Sequence, residues 1–309
     1  MIEDPRPGAP VVGYEVSERV ARIVLNRPDR GNGITPELLR QLAERVEQAD
    51  LDPNVHVLLL SGAGSGFCGG YDLVDSAEGK AAGDDVAASA DGSPIDPAVI
   101  ASNHDPSTPW DPMTDFAMMS RNVRVFMKLF ECGKPVVCKI HGFCVAGGTD
   151  MALCSDLVVA AADAKIGYPP ARVWGSPTTA LWAHRIGPQR AKRLLFTGDS
   201  ITGATAAEWG LAIESPSPER LDERTERLVA RIAKMPVNQL MMMKLLVNQT
   251  IEAQGMRSTQ VLGTVFDGIT RHTAEGYEFQ ATAAREGFRE AVRRRDEPFG
   301  DFGLSGETV

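Results

Sequence analysis

Apolar residues alternate with polar ones over two short runs near the start of the chain, VVGYEV at 11–16 and VARIVL at 20–25, with only the polar turn SER between them. Period-two patterning across so short a connection predicts a β-hairpin. After the polar loop NRPDRGNGI the period changes. Leu38, Leu39, Leu42 and Val46 fall on one face of a helix that Thr35-Pro36-Glu37 opens with a cap, a proline at the first position and an acid in the first turn. VHVLLLSG at 55–62 and LVVAA at 157–161 are nearly continuous apolar runs, the pattern of strands buried on both faces. Pro135 to Ile140 is a third such run. Between these strands, Phe116, Met119, Val123, Phe126, Met127 and Phe130 recur at helical spacing and predict a helix from Thr114 to Phe130.

Beyond residue 165 the pattern is helical after a proline-rich loop at 164–180. GPQRAKRLLF reads as one short helix, Thr202 caps another running to Trp209, Ser217-Pro218-Glu219 opens a third, and more follow to about Arg295. Strands early and helices late predict an α/β core at 1–200 with a helical C-terminal region at 201–298 and a frayed tail at 299–309. Residues 75–112 interrupt this layout. Their Ala, Gly, Asp, Ser and Pro content offers little to bury, which predicts a mobile insertion whose Trp110-Asp111-Pro112-Met113 end folds back on the body.

Composition narrows the function classes. With 309 residues, 43% hydrophobic and 24% charged, the chain reads as a soluble globular protein, and its net charge of −9 argues against nucleic acid as the main partner. No apolar run is long enough for a membrane span and the acidic start MIEDPRPGAP is unlike a signal peptide, so a cytoplasmic location is expected, with no membrane partner. The five cysteines contain no CxxC pair and are expected to be reduced, buried thiols rather than metal ligands.

The chemistry concentrates at residues 138–150, CKIHGFCVAGGTD, where an apolar strand passes through a small-residue turn into a helix. The first turn of a helix presents backbone N–H groups without intrahelical acceptors, and Gly147 and Gly148 keep side chains away from them. Asp150 adds a carboxylate in the same turn. Such an arrangement suits an oxyanion formed on an activated carbonyl; a Gly-Gly pair at this position is also a common packing device. A second glycine turn, GAGSGFCGGYDL at 62–73, follows the strand at 55–62 and taken alone reads as a flexible loop.

Taken together, GSGFCGGYDL, KPVVCKIHGFCVAGGTDMALCSDLVVAAADAKIGYP and TGDSITGATAAEWGL resemble the crotonase (enoyl-CoA hydratase/isomerase) superfamily over residues 12–298 apart from the insertion. The resemblance implies a spiral of ββα units with a C-terminal helical region used in trimer assembly, often doubled to hexamers. It also implies an acyl-CoA thioester substrate, with coenzyme A as part of that substrate and no further cofactor. Two backbone amides, falling by motif on Tyr71 and Gly147, are implied as the oxyanion hole, with Cys68, Gly69, Gly70 and Gly148 lining the two turns. LNRPDRGNGIT resembles the first CoA-binding loop, so Arg27 and Arg30 are the expected CoA contacts.

The chain departs from that pattern in one place. Hydratases of the family use two glutamates, and here the first position is Asp150 while the second is replaced in GYPPARVWG by Pro170. No Asp or Glu occurs from Lys165 to Thr197. Hydration with Asp150 and a helper such as Tyr168, one-base chemistry (isomerisation, decarboxylation or thioester hydrolysis) and non-catalytic acyl-CoA binding all fit. In the altered loop, Trp174 is a candidate substrate contact. Arg172 suits either a substrate carboxylate or a structural salt bridge. His141, before Gly142, suits a turn-stabilising role, and Arg293-Arg294-Arg295 suits either a solvated helix end or a CoA-phosphate contact.

Overall fold

The computed structural model describes residues 10–72 and 96–300. Strands β1 (Val12–Ser17) and β2 (Val20–Leu25) form the expected hairpin, with Val12 opposite Leu25 and Ser17 opposite Val20. Its two-residue turn places Glu18 and Arg19 at φ 50° and 66°, the backbone twist that matches tightly paired strands. Parallel strands β3 (Val57–Gly62), β4 (Val136–Ile140) and β6 (Leu157–Ala160) complete a five-stranded sheet in the order β1-β2-β3-β4-β6. Helix α1 (Pro36–Leu51), capped by the Thr35 hydroxyl accepting from the Leu38 amide, lays Leu38, Leu39, Leu42 and Val46 on that sheet.

Three short strands are not legible in the sequence as such. β5 (Phe143–Val145), β7 (Lys165–Gly167) and β8 (Ser200–Thr202) form a second sheet in the order β5-β7-β8. Each is three residues long, too short to display a period. β7 occupies the start of the segment expected as loop at 164–180.

The expected insertion is corrected at its end. Residues 73–95 lie outside the described residues, but helix α2 (Pro97–Asn103) follows, and helix α3 (Pro112–Glu131) begins two residues ahead of the predicted start. Asp111 caps it and Pro112 holds its first position, the same signature as Thr35-Pro36, here hidden inside a proline-rich run. Trp110 does fold back, stacking on His272 with ring centroids 4.7 Å apart. The expected frayed tail falls largely on residues 301–309, also outside the described residues.

α4 (Gly147–Leu153) is the helix after the central glycine turn and has only seven residues, all buried. α5 (Trp182–Thr197) starts earlier than Gly187, whose φ of 76° breaks the helix where the sequence suggested it began. α6 (Gly203–Trp209), α7 (Leu221–Ile232), α8 (Val237–Ala253), α9 (Met256–Arg271), α10 (Ala274–Glu286) and α11 (Phe288–Asp296) make the helical C-terminal region. All five cysteines are free and buried. Among the described residues, no helix is long and apolar enough to cross a membrane.

Candidate active site

The two glycine turns meet. The backbone of Cys68 pairs with that of Cys144 in an isolated parallel β-bridge, and the Val145 amide donates to the Cys68 carbonyl at 3.0 Å, so the loop after β3 runs beside β5. Farther along, Ile34 is locked between the Gly70 carbonyl (2.8 Å) and the Asp72 amide (3.0 Å). That pairing turns the Tyr71 amide to the opposite side. Among the described residues neither the Tyr71 nor the Gly147 amide has a backbone or side-chain acceptor. Gly70 sits at φ 95°, and a Cβ there would lie 3.4 Å from the Gly147 nitrogen and 2.7 Å from the Ala146 Cβ. Glycine is therefore required both for the turn and for access to the neighbouring amide.

Strain marks the same place. Ala146, at the start of α4, has φ 53° and ψ −129°, a conformation that an alanine rarely adopts and that surrounding structure must hold. Its amide donates to the Gly167 carbonyl at 3.1 Å, and its carbonyl accepts from Thr149. These contacts aim the Gly147 amide outward. Since α4 is so short, the free amides rather than a helix dipole supply most of the positive potential there.

Asp150 lies one turn beyond Gly147 and is 1% exposed. Its Oδ1 accepts from the Thr179 hydroxyl at 2.6 Å and the Thr179 amide at 3.2 Å. Burial raises its carboxyl to about 7; the two Thr179 hydrogen bonds oppose the rise and the Asp267 charge adds to it. A carboxyl poised there can both accept and return a proton near neutral pH.

Other expected contacts are placed differently. The Cys68 thiol donates to the Asn32 carbonyl at 3.2 Å and is pushed by burial up to about 12, making it a packing group. Gly148 is small because a Cβ would stand 2.6 Å from the Cys68 carbonyl, and the Gly69 amide donates to the Gly31 carbonyl at 2.9 Å. Arg27 and Arg30 pair with Asp72 at 2.9 and 3.1 Å, and Arg27 also donates to the Gly33 carbonyl. They fasten the first loop beside Tyr71.

In the altered loop the structural alternative for Arg172 prevails. Its guanidinium, 1% exposed, pairs with Asp199 at 3.2 Å and Asp296 at 3.1 Å and lies 3.9 Å from the Phe299 ring centroid. The side chain is thereby committed to joining the loop to the end of α11, and is corrected as a substrate contact. Trp174 packs on Phe279 of α10, with ring centroids 5.1 Å apart. The Tyr168 hydroxyl donates to the Ser176 carbonyl at 2.8 Å, which ties it to its own loop. His141 Nε2 lies 2.8 Å from the Gly64 carbonyl, a turn contact. Arg293 and Arg294 pair with Glu290, and Arg295 with Asp296, within α11.

Sequence reasoning missed the groups that hold Asp150. Besides Thr179 these lie on α9, where Gln260 donates to the Thr179 carbonyl at 3.1 Å and Asp267 accepts from the Ser176 amide at 3.3 Å. A Cβ on Gly263 would sit 3.0 Å from the Pro177 carbonyl. Gln260, Gly263 and Asp267 share one helical face, and a polar stripe at that spacing ordinarily signals a solvated surface.

The described fold agrees with what comparison finds. The model of the enoyl-CoA hydratase/isomerase family matches residues 15–93 and 113–297. The chain belongs to this family. A crystal structure of an enoyl-CoA hydratase from Mycobacterium smegmatis shares 58% identity and a TM-score of 0.89, with 97% of each chain covered. The 1,2-epoxyphenylacetyl-CoA isomerase of Escherichia coli is 29% identical over 75% of this chain and 80% of its own length. The (E)-benzylidenesuccinyl-CoA hydratase of Thauera aromatica is 29% identical over 72% of this chain and 76% of its own. Family membership supports a role as an acyl-CoA thioester enzyme, and the fold is that of the crotonase superfamily.

Proposed function

We propose that the protein hydrates a 2-enoyl-CoA thioester, using the Tyr71 and Gly147 amides as an oxyanion hole and Asp150 as the acid/base. One observation carries the reading: two amides without acceptors stand on adjoining turns, with a carboxyl of pKa about 7 one helical turn from the second. The thioester oxygen between those amides gains negative charge as the enolate forms, and each donor contributes about 3 kcal/mol to that transition state. Asp150 takes a proton from water as oxygen joins the β-carbon, then delivers it to the α-carbon. Metal and further cofactor have no part in this scheme.

A second reading rests on a different observation. No carboxylate occupies the loop at 168–181, and a single base moving a proton between the α- and γ-carbons performs isomerisation without adding water. Crotonyl-CoA and a longer 2-enoyl-CoA, followed by loss of enoyl-thioester absorbance, test hydration; a 3-enoyl-CoA tests isomerisation. Hydration that vanishes in Asp150→Asn supports the first reading. Isomerisation without hydration supports the second, and acyl-CoA binding with neither reaction would reject both.

Self-association is part of the proposal. Met242, Leu245 and Leu246 of α8 and Val261, Leu262 and Phe266 of α9 are between 47% and 70% exposed. Several large apolar side chains on adjacent helices form a face that suits a second copy of the chain in a trimer, or a hexamer made from two trimers.

A further inference from the structure

Water added across a double bond has to be held as well as deprotonated. If only Asp150 touched it, the water would be free to rotate, and the hydrogen it offered and the lone pair it aimed would not be fixed together. Tyr168, the side chain that sequence nominated as a helper, is occupied, and so is Asp267, whose charge acts on Asp150. Tyr168 donates to the Ser176 carbonyl, and Asp267 is bound by Arg271 Nη1 at 2.5 Å and by the Ser176 amide.

Tyr71 differs from both. Its ring lies across the start of α4, with Cε2 3.0 Å and Cδ2 3.2 Å from where a Gly147 Cβ would stand. The same Cβ would be 2.9 Å from Ile34 Cδ1, so the ring and Ile34 close over the glycine together. At the end of this ring the hydroxyl is buried and has no hydrogen-bond partner among the described residues. Asn122 is close enough to act on it as a hydrogen-bonding neighbour, although the Asn122 amide nitrogen is also turned to Met119 Sδ at 3.7 Å. An interior hydroxyl left unpaired calls for an explanation, and a water or ligand that occupies the space beside it is one.

We propose that the Tyr71 hydroxyl is a second catalytic group of this site, holding the attacking water across from Asp150. The inference rests on the hydratase reading above. One hydrogen of the water goes to the Tyr71 oxygen and the other to Asp150, which leaves an oxygen lone pair directed at the β-carbon. As the C–O bond forms, the O–H bond facing Asp150 breaks and its proton passes to the carboxylate. The π electrons move onto the α-carbon and thioester oxygen, held by the two amides. Asp150 then gives the proton to the α-carbon, so one water is added and both side chains return to their starting state. Tyr71 stays a neutral phenol throughout; burial and the charges of Asp150 and Asp267 hold it well above its ordinary pKa. A single residue thus supplies an amide to the oxyanion and a hydroxyl to the water.

Tyr71→Phe separates the two contributions, because it keeps the backbone amide and the ring while removing the oxygen. The expected result with crotonyl-CoA is a fall in kcat on the order of 10-fold or more, with KM, the pH midpoint of turnover and the melting temperature unchanged. Tyr71→Met, a second side chain without the hydroxyl, is measured beside it, so that altered packing in either one is recognised. Turnover at the parent rate in Tyr71→Phe overturns the inference, as does a loss accompanied by a moved pH midpoint, which would make the hydroxyl a support for Asp150. Hydration that falls in Tyr71→Phe yet survives Asp150→Asn would overturn the proposed role of Asp150 and leave that of Tyr71 supported. A parent protein that hydrates no 2-enoyl-CoA overturns both.

Discussion

Two buried aspartates, each 1% exposed, end in opposite chemical states. Asp150 has only hydrogen bonds from Thr179 on its Oδ1, and burial moves its carboxyl up to about 7. Around Asp115, in α3, burial pushes in the same direction, but the Arg271 guanidinium at 2.8 Å and the Trp110 indole outweigh it and hold the carboxyl below its ordinary value. Asn103 and His272 complete that shell, each at 3.0 Å. Burial alone therefore does not make a proton carrier. What decides is whether a cation is buried with the carboxylate.

Removing each carboxylate's charge should separate the two aspartates most widely. Asp150→Asn should lower turnover by about 1000-fold or more, read as enoyl-thioester loss, with folding intact. Asp115→Asn should leave turnover within about 10-fold and act on stability instead. Removing the cation tests the other half. Arg271→Met leaves Asp115 and Asp267 without their partner and should cost about 3–5 kcal/mol, seen as a lower denaturant midpoint at pH 7. A small loss there would mean that the Asp115 cluster is better solvated than its burial indicates.

Smaller effects should appear as pH is varied. In the folded state Asp150 binds a proton up to about pH 7, whereas an unfolded aspartate releases it near 4, so its contribution to stability falls as pH rises through that interval. Asp150→Asn should therefore melt above the parent at pH 8. Asp115 has the opposite sign. Its lowered pKa contributes stability present at neutral pH and lost on acidification, so Asp115→Asn should melt below the parent at pH 8. Thr179→Val should give the smallest change, raising the pH midpoint of turnover above about 7 by roughly half a unit to one unit, since the lost hydroxyl favours the ionised carboxylate. A midpoint that stays in place would show that the Thr179 amide alone sets the environment of Asp150.

Most of the site's backbone is legible in the amino-acid sequence. The spacing from the strand ending at Gly62 to Tyr71, and from Ile140 to Gly147 and Asp150, follows from motifs confined to a dozen residues each. Their geometry is local: a glycine turn, a strand end and the first turn of a helix. Thr179 and the α9 stripe are not legible there, because they reach Asp150 from residues far along the chain. Pro112 is a miss of a different kind, since Asp111-Pro112 carries a local helix-start signal.

Periodicity in the sequence determines which segments become helices and strands, and for α1 it also determines which face is buried, because Leu38, Leu39, Leu42 and Val46 have the sheet to cover them. In α9 the same rule selects a face that the single chain leaves exposed. Gln260, Gly263, Thr264, Asp267 and Arg271 are buried while Val261, Leu262 and Phe266 are exposed. A polar stripe can be buried only if every donor and charge finds a partner, and those partners, Thr179, Ser176 and Asp115, come from segments about 80 to 160 residues away. Local pattern makes α9 a helix through hydrogen bonds four residues apart; it takes tertiary packing to choose which side of that helix faces Asp150.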